Sequence, residues 1–191
     1  MFDLRKKHYA LLVVLAFLVL LTACGGGGTY SSGATTTSSQ DTVATTTQDA
    51  PIDGISCDPE MSSYHIHVRL FMWISGTLVQ IPGTIGHGQS GCLYWLHTHS
   101  DDSPQNIIHI EAPQAFSPTL RNLLDIWQQT DASTFPNELT SPGWTIWVNG
   151  VDESASGSSA IIFQPHDVIT MAYNTINMAP GMPSDYDWTD Y

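Results

Sequence analysis

From Tyr64 to Ile74 the chain alternates and is rich in β-branched and aromatic residues, a pattern that predicts a strand. Ser75-Gly76 supplies a turn and Thr77 to Ile81 a return, so this stretch reads as a hairpin. Pro82 to Gly91, with four glycines and one proline, reads as a loop. Two further strands are expected at Cys92 to His99 and Ile107 to Ala112, joined by turn-forming residues from Ser100 to Asn106. Ser117-Pro118 has the chemistry of a helix N-cap and first position, and Leu120, Leu123, Leu124 and Trp127 then fall on one helical face. After a loop from Asp131 to Gly143, strands are expected at Trp144 to Val148, Ala160 to Phe163 and Val168 to Tyr173, with Asn149-Gly150 as a turn. Met72 and Met171 read as core, and the tail from Ala179 shows no regular pattern. The class is α+β: a mainly antiparallel β-sheet with one amphipathic helix.

This alternation gives the histidines their interest. Residues two apart on a strand share a face, which pairs His65 with His67, His97 with His99, and His109 with Glu111. If the strands holding His99 and Ile107 pair at those residues, His97 lies opposite His109, with Cβ atoms roughly 5 Å apart. A one-residue slip would send His109 to the other face. Three imidazoles with an open fourth position suit Zn or Cu. Asp101 or Asp102 is a candidate oxygen ligand, and Glu111 a candidate ligand or orienting group. The opposing reading is a sheet face whose histidines are satisfied by backbone or acidic partners. His87, between glycines, reads as a mobile ligand or a surface residue, and His166 as a turn residue with a local Asp partner.

The first residues belong to no such pattern. Arg5, Lys6 and Lys7 precede an apolar run from Ala10 to Leu21, the arrangement of an export signal. Leu21-Thr22-Ala23-Cys24 resembles a bacterial lipobox, which implies a signal peptide over residues 1–23 and a lipid on Cys24. Gly25 after the lipid site implies, by the same resemblance, the outer membrane if the host is Gram-negative. Residues 24–50, mostly Gly, Ser and Thr, read as a flexible tether. Residues 51–191 are enough for one domain with a continuous core.

Beyond the signal, Arg69 and Arg121 are the only fixed cations, against all but one of the chain's 18 acidic residues. Such a balance disfavours nucleic acid and anionic lipid headgroups as partners and favours solubility. With Cys24 lipidated, Cys57 and Cys92 remain as a pair in an oxidising compartment, where a disulfide is the default over thiolate ligation. On the chain-entropy model that bond is worth roughly 3 to 4 kcal/mol.

Neither a phosphate-binding glycine loop nor a GxSxG nucleophile elbow is present. Gly91 followed by His97-Thr98-His99 resembles the opening of the cupin metal motif, without its glutamate or its second segment. A broader resemblance spans most of residues 57–174. Cys57, Tyr64-His65-Ile66-His67, Cys92 to His99, Ile107 to Glu111 and Trp147 to Gly150 resemble a group of exported or membrane-anchored bacterial proteins without an established activity. That resemblance implies His65, His67, His97, His99, His109 and Glu111 as shared site positions. The chain departs from the pattern in lacking a glycine before Ile107 and another near the helix start.

These features lead to an expected cell-envelope lipoprotein, membrane-bound through Cys24, whose histidine cluster binds Cu or Zn as a carrier, sensor or buffer, with an envelope protein as a further partner. Two alternatives stay open: a metal-dependent hydrolase or oxygenase using Glu111 or Asp102 as general base, and a structural or adhesive domain without a ligand.

Overall fold

The computed structural model describes residues 49–175, 187–189 and 191. The export signal, Cys24 and the tether up to residue 48 lie outside the described residues, as does most of the tail beyond Ala179. Among the described residues there are nine strands and one α-helix: β1 (Cys57–Asp58), β2 (Tyr64–Ile74), β3 (Thr77–Val79), β4 (Leu93–Tyr94), β5 (Leu96–His97), β6 (Ile107–Ala112), α1 (Leu120–Thr130), β7 (Thr145–Val148), β8 (Val151–Asp152) and β9 (Val168–Tyr173). The protein is α+β, mostly sheet with one helix. Seven strands form an open sheet in the order β5-β6-β2-β9-β7-β8, with β3 also paired to β2, and β1 pairs β4 separately. The closed barrel of a cupin is not formed by this sheet.

β2 organises the main sheet because both of its edges are used. One edge pairs antiparallel with β6 along Tyr64 to Arg69 and with β3 along Met72 to Ile74. The other pairs with β9 from Arg69 to Ile74, and this pairing is parallel, the exception to an otherwise antiparallel sheet. Alternation then sorts the faces. Val68, Leu70 and Met72 of β2 and Ile108 and Ile110 of β6 are fully buried, in one apolar cluster with Leu120, Leu123, Ile126 and Trp127 of α1. The opposite face of β2 and β6 carries His65, His67, His109 and Glu111.

The strand expected from Cys92 to His99 is interrupted at Trp95 because its partner changes there. Tyr94 pairs with Cys57 of β1, whereas Leu96 and His97 pair with Ile110 and His109 of β6. The ladder ends at His97, where Thr98 turns to the preceding loop: its N–H donates to the Ile85 carbonyl at 3.0 Å. The register is the one that places His97 opposite His109. A Cys57–Cys92 disulfide, with Cα atoms 5.4 Å apart, ties β1 to the start of this segment.

Two expectations are corrected. The helix cap is Thr119, not Ser117: Thr119 Oγ1 accepts from the Asn122 N–H at 3.3 Å and Asn122 Oδ1 accepts from the Thr119 N–H at 2.9 Å. Ser117 is displaced from that role because Pro118 is still extended, its carbonyl accepting from the Phe163 N–H at 2.9 Å. The same contact explains why Ala160 to Phe163 is not a strand of the sheet. Its residues alternate in burial, but they hydrogen-bond to the segment entering α1 and form only an isolated bridge from Ile162 to Thr119.

Candidate metal centre

Register builds the site. Because β6 lies between β5 and β2, His109 stands opposite His97 on one side and His67 on the other, and one row along, Glu111 stands opposite His65. Three imidazoles therefore line up across three adjacent strands on one face. The His97 and His109 rings are stacked, 5.4 Å apart and 14° from parallel. His99 lies just past β5, yet its Nε2 is 3.2 Å from His97 Nε2, so the two-residue spacing still brings the pair together.

Hydrogen-bond partners fix where the ring protons sit. His97 Nδ1 lies 2.9 Å from the Tyr94 carbonyl, which can only accept, so Nδ1 carries the proton and Nε2 the lone pair. His109 Nε2 lies 2.8 Å from Asp102 Oδ2 and donates to it, which leaves Nδ1 as the lone-pair nitrogen, 3.1 Å from His67 Nε2. Glu111 Oε1 is placed among these groups: 3.0 Å from His65 Nε2, 3.5 Å from His109 Nδ1 and 4.0 Å from His97 Nε2. Its other oxygen accepts the Met61 N–H at 3.2 Å.

The electrostatics favour neutral imidazole. Burial, reinforced by the neighbouring imidazoles, pushes His67 down to about 3. Burial likewise pushes His97 down to about 3, against the opposing pull of the Tyr94 carbonyl. His109 is also lowered by burial, with the Asp102 hydrogen bond opposing. Burial works to raise the Asp102 carboxyl, but hydrogen bonds from Tyr191 and His109 outweigh it and hold the group below its ordinary value. Tyr191 Oη donates to Asp102 Oδ1 at 2.6 Å, extending the chain from His109 outward.

All six positions implied by the sequence, His65, His67, His97, His99, His109 and Glu111, meet in this cluster. Three-histidine groups with every ligand atom within 4.8 Å of the others are His97, His99, His109 and His65, His67, His109, sharing one ring. Asp102 supports His109, whereas Asp101 is exposed and joins none of these groups. His87 is also outside them: its Nε2 donates to the Thr98 carbonyl at 2.9 Å. His166 is a turn residue with φ 67°, but its ring stacks on Trp188, and Asp167 instead accepts from the Gln164 N–H at 2.8 Å.

Comparison with known proteins gives no match to any family model, curated protein or solved structure. Chemistry must come from the residues themselves.

Two participants are not signalled by strand periodicity. Glu60 lies on the connection between β1 and β2, with Oε1 3.5 Å from His99 Nε2, and it groups with His97 and Glu111. Its nearness to Cys57 is the available clue, since the disulfide fixes that connection beside the His97 strand. Tyr191, whose ring is 5.0 Å from that of His67, has no local signal. The thiolate alternative is closed in this state, because Cys57 and Cys92 are bonded to each other.

Proposed function

We propose that this protein is a cell-envelope lipoprotein that binds a transition metal, Cu or Zn, as a carrier, sensor or buffer. One observation supports it above the rest. Glu111 is 3% exposed, and its ion-pair partners are three histidines, two of them, His97 and His109, shifted by burial toward the neutral form. Among the described residues no Lys or Arg pairs with it. Taking a carboxylate out of water costs several kcal/mol by order of magnitude, and a divalent ion at Glu111 offsets that cost.

The donor atoms suit such an ion. His97 Nε2, His99 Nε2 and His109 Nδ1 offer nitrogen, and Glu111 Oε1 offers oxygen. Neighbouring ligands of a tetrahedral Zn site are about 3.3 Å apart when Zn–N is about 2.05 Å; here three of the six donor pairs, His97–His99, His109–Glu111 and His97–Glu111, are 3.2, 3.5 and 4.0 Å apart. The Asp102–His109 hydrogen bond matches the carboxylate–histidine–metal relay that fixes a ligand's tautomer. Export and the lipid on Cys24 rest on the sequence alone and locate the binding in the envelope.

The test is elemental analysis of the full-length, tag-free protein in detergent, with thermal unfolding during Zn²⁺ and Cu²⁺ titration. Bound metal near stoichiometry and a raised Tm are expected, since a ligand at 100 times Kd adds about 2.7 kcal/mol. Replacing His97, His99 and His109 together by Ala is expected to abolish both effects while the disulfide and far-UV circular dichroism persist. No metal and no shift would overturn the proposal, and binding that survives the triple replacement would move the site elsewhere.

A further inference from the structure

The cluster holds more donors than one ion uses, and they divide into two groups. His65, His67 and His109, on β2 and β6, each offer a ring nitrogen within 4.8 Å of the others, with His67 Nε2 3.1 Å from His109 Nδ1. On the other side, His97 Nε2 is 3.2 Å from His99 Nε2, which is 3.5 Å from Glu60 Oε1. Glu60, His97 and Glu111 form a set of their own. Glu111 is the group common to both halves. Its Oε1 reaches His65 at 3.0 Å and His109 at 3.5 Å in the first, and His97 at 4.0 Å in the second.

We infer that the centre takes two divalent cations, one held by His65, His67 and His109 and the other by His97, His99 and Glu60, with the Glu111 carboxylate bridging them. This deepens the metal-binding reading and rests on it. In the two-ion state His109 Nδ1 serves the His65/His67 side, 3.1 Å from His67 Nε2, and Glu60 takes its place beside His97 and His99. Each ion then has three residues of its own plus a shared carboxylate, the four-coordinate arrangement Zn²⁺ favours. Paired metal sites of this kind hold their ions about 3.5 to 4 Å apart. Access is graded as well. Glu60, His65 and His99 are 60%, 36% and 26% exposed, while Glu111 and His97 are 3% and 1% exposed, so both ions are reached from the rim and the bridge lies at the bottom.

The experiment uses full-length protein loaded with Zn²⁺ for elemental analysis and with Cu²⁺ for electron paramagnetic resonance. Two ions per chain are expected, with a spin-coupled Cu²⁺ pair. The His65→Ala/His67→Ala and Glu60→Ala/His99→Ala variants each fall to one ion and give an isolated Cu²⁺ signal. Glu111→Gln loses the coupling or the second ion. One ion per chain, unchanged in His65→Ala/His67→Ala, would overturn the paired centre and leave the single-ion reading standing. No ion at all would overturn both. Two ions that persist when His65, His67, His99 and His109 are all replaced would mark adventitious binding and overturn the pair.

Discussion

His109 donates its Nε2 proton to Asp102 across 2.8 Å, and this contact decides which nitrogen faces Glu111 and His67. Without Asp102 the ring is free to present either tautomer. Asp102→Ala is therefore expected to weaken metal affinity by about 10 to 100-fold, and Asp102→Asn by less, because an amide oxygen still accepts. Competition against a chromophoric chelator measures it. Equal affinity in all three proteins would show that His109 does not bind through Nδ1.

Gly86 tests how the loop after β3 supports the site. It has φ +79°, and a side-chain methyl there would collide with the Leu96 carbonyl and press on His97. Gly86→Ala is expected to cost about 1 to 3 kcal/mol and to lower metal affinity, because β5 must shift. Gly91, at φ +83° with open space around it, is the control. There Ala should cost only the left-handed backbone strain of about 1 kcal/mol and leave binding alone. Urea midpoints read the stability, and equal losses at both glycines would refute the steric argument.

Tyr94 sets an alkaline limit. Its hydroxyl donates to the Ala50 carbonyl at 2.6 Å, and burial first, then the Asp49 charge, raises the phenol above its ordinary value. An unfolded tyrosine ionises near about 10, so above that pH the unfolded chain binds fewer protons than the folded one. The stabilisation is complete below about pH 10 and is lost as pH rises through the folded value. Tyr94→Phe should flatten this decline and cost about 1 kcal/mol at neutral pH for the lost hydrogen bond. Urea midpoints from roughly pH 8 to pH 11 would show parallel slopes if the assignment is wrong.

Much of this was legible because alternation and register are local and geometric. β2, β6, β7 and β9 follow their hydrophobic patterns closely, and His97 pairs with His109 as in the register supposed for those strands. What escaped depended on long-range partners. The break at Trp95 reflects a change of neighbour from β1 to β6, and the buried alternation of Ile161 and Phe163 is spent on the approach to α1. The parallel β2–β9 pairing leaves no mark in either strand. Within the site, the histidines announced themselves by spacing, whereas Glu60 and Tyr191 arrive from segments whose position only tertiary contacts determine.

That parallel pairing bears on the order of assembly. β2 begins at Tyr64, but one of its edges stays open until β9, which begins at Val168, has joined it. Contacts so distant in sequence must first meet the entropy of closing a long loop and therefore form slowly. A chain still being synthesised thus carries all of the clustered histidines before β9 arrives to complete the sheet they lie on. The face on which the histidines meet is therefore completed late in folding.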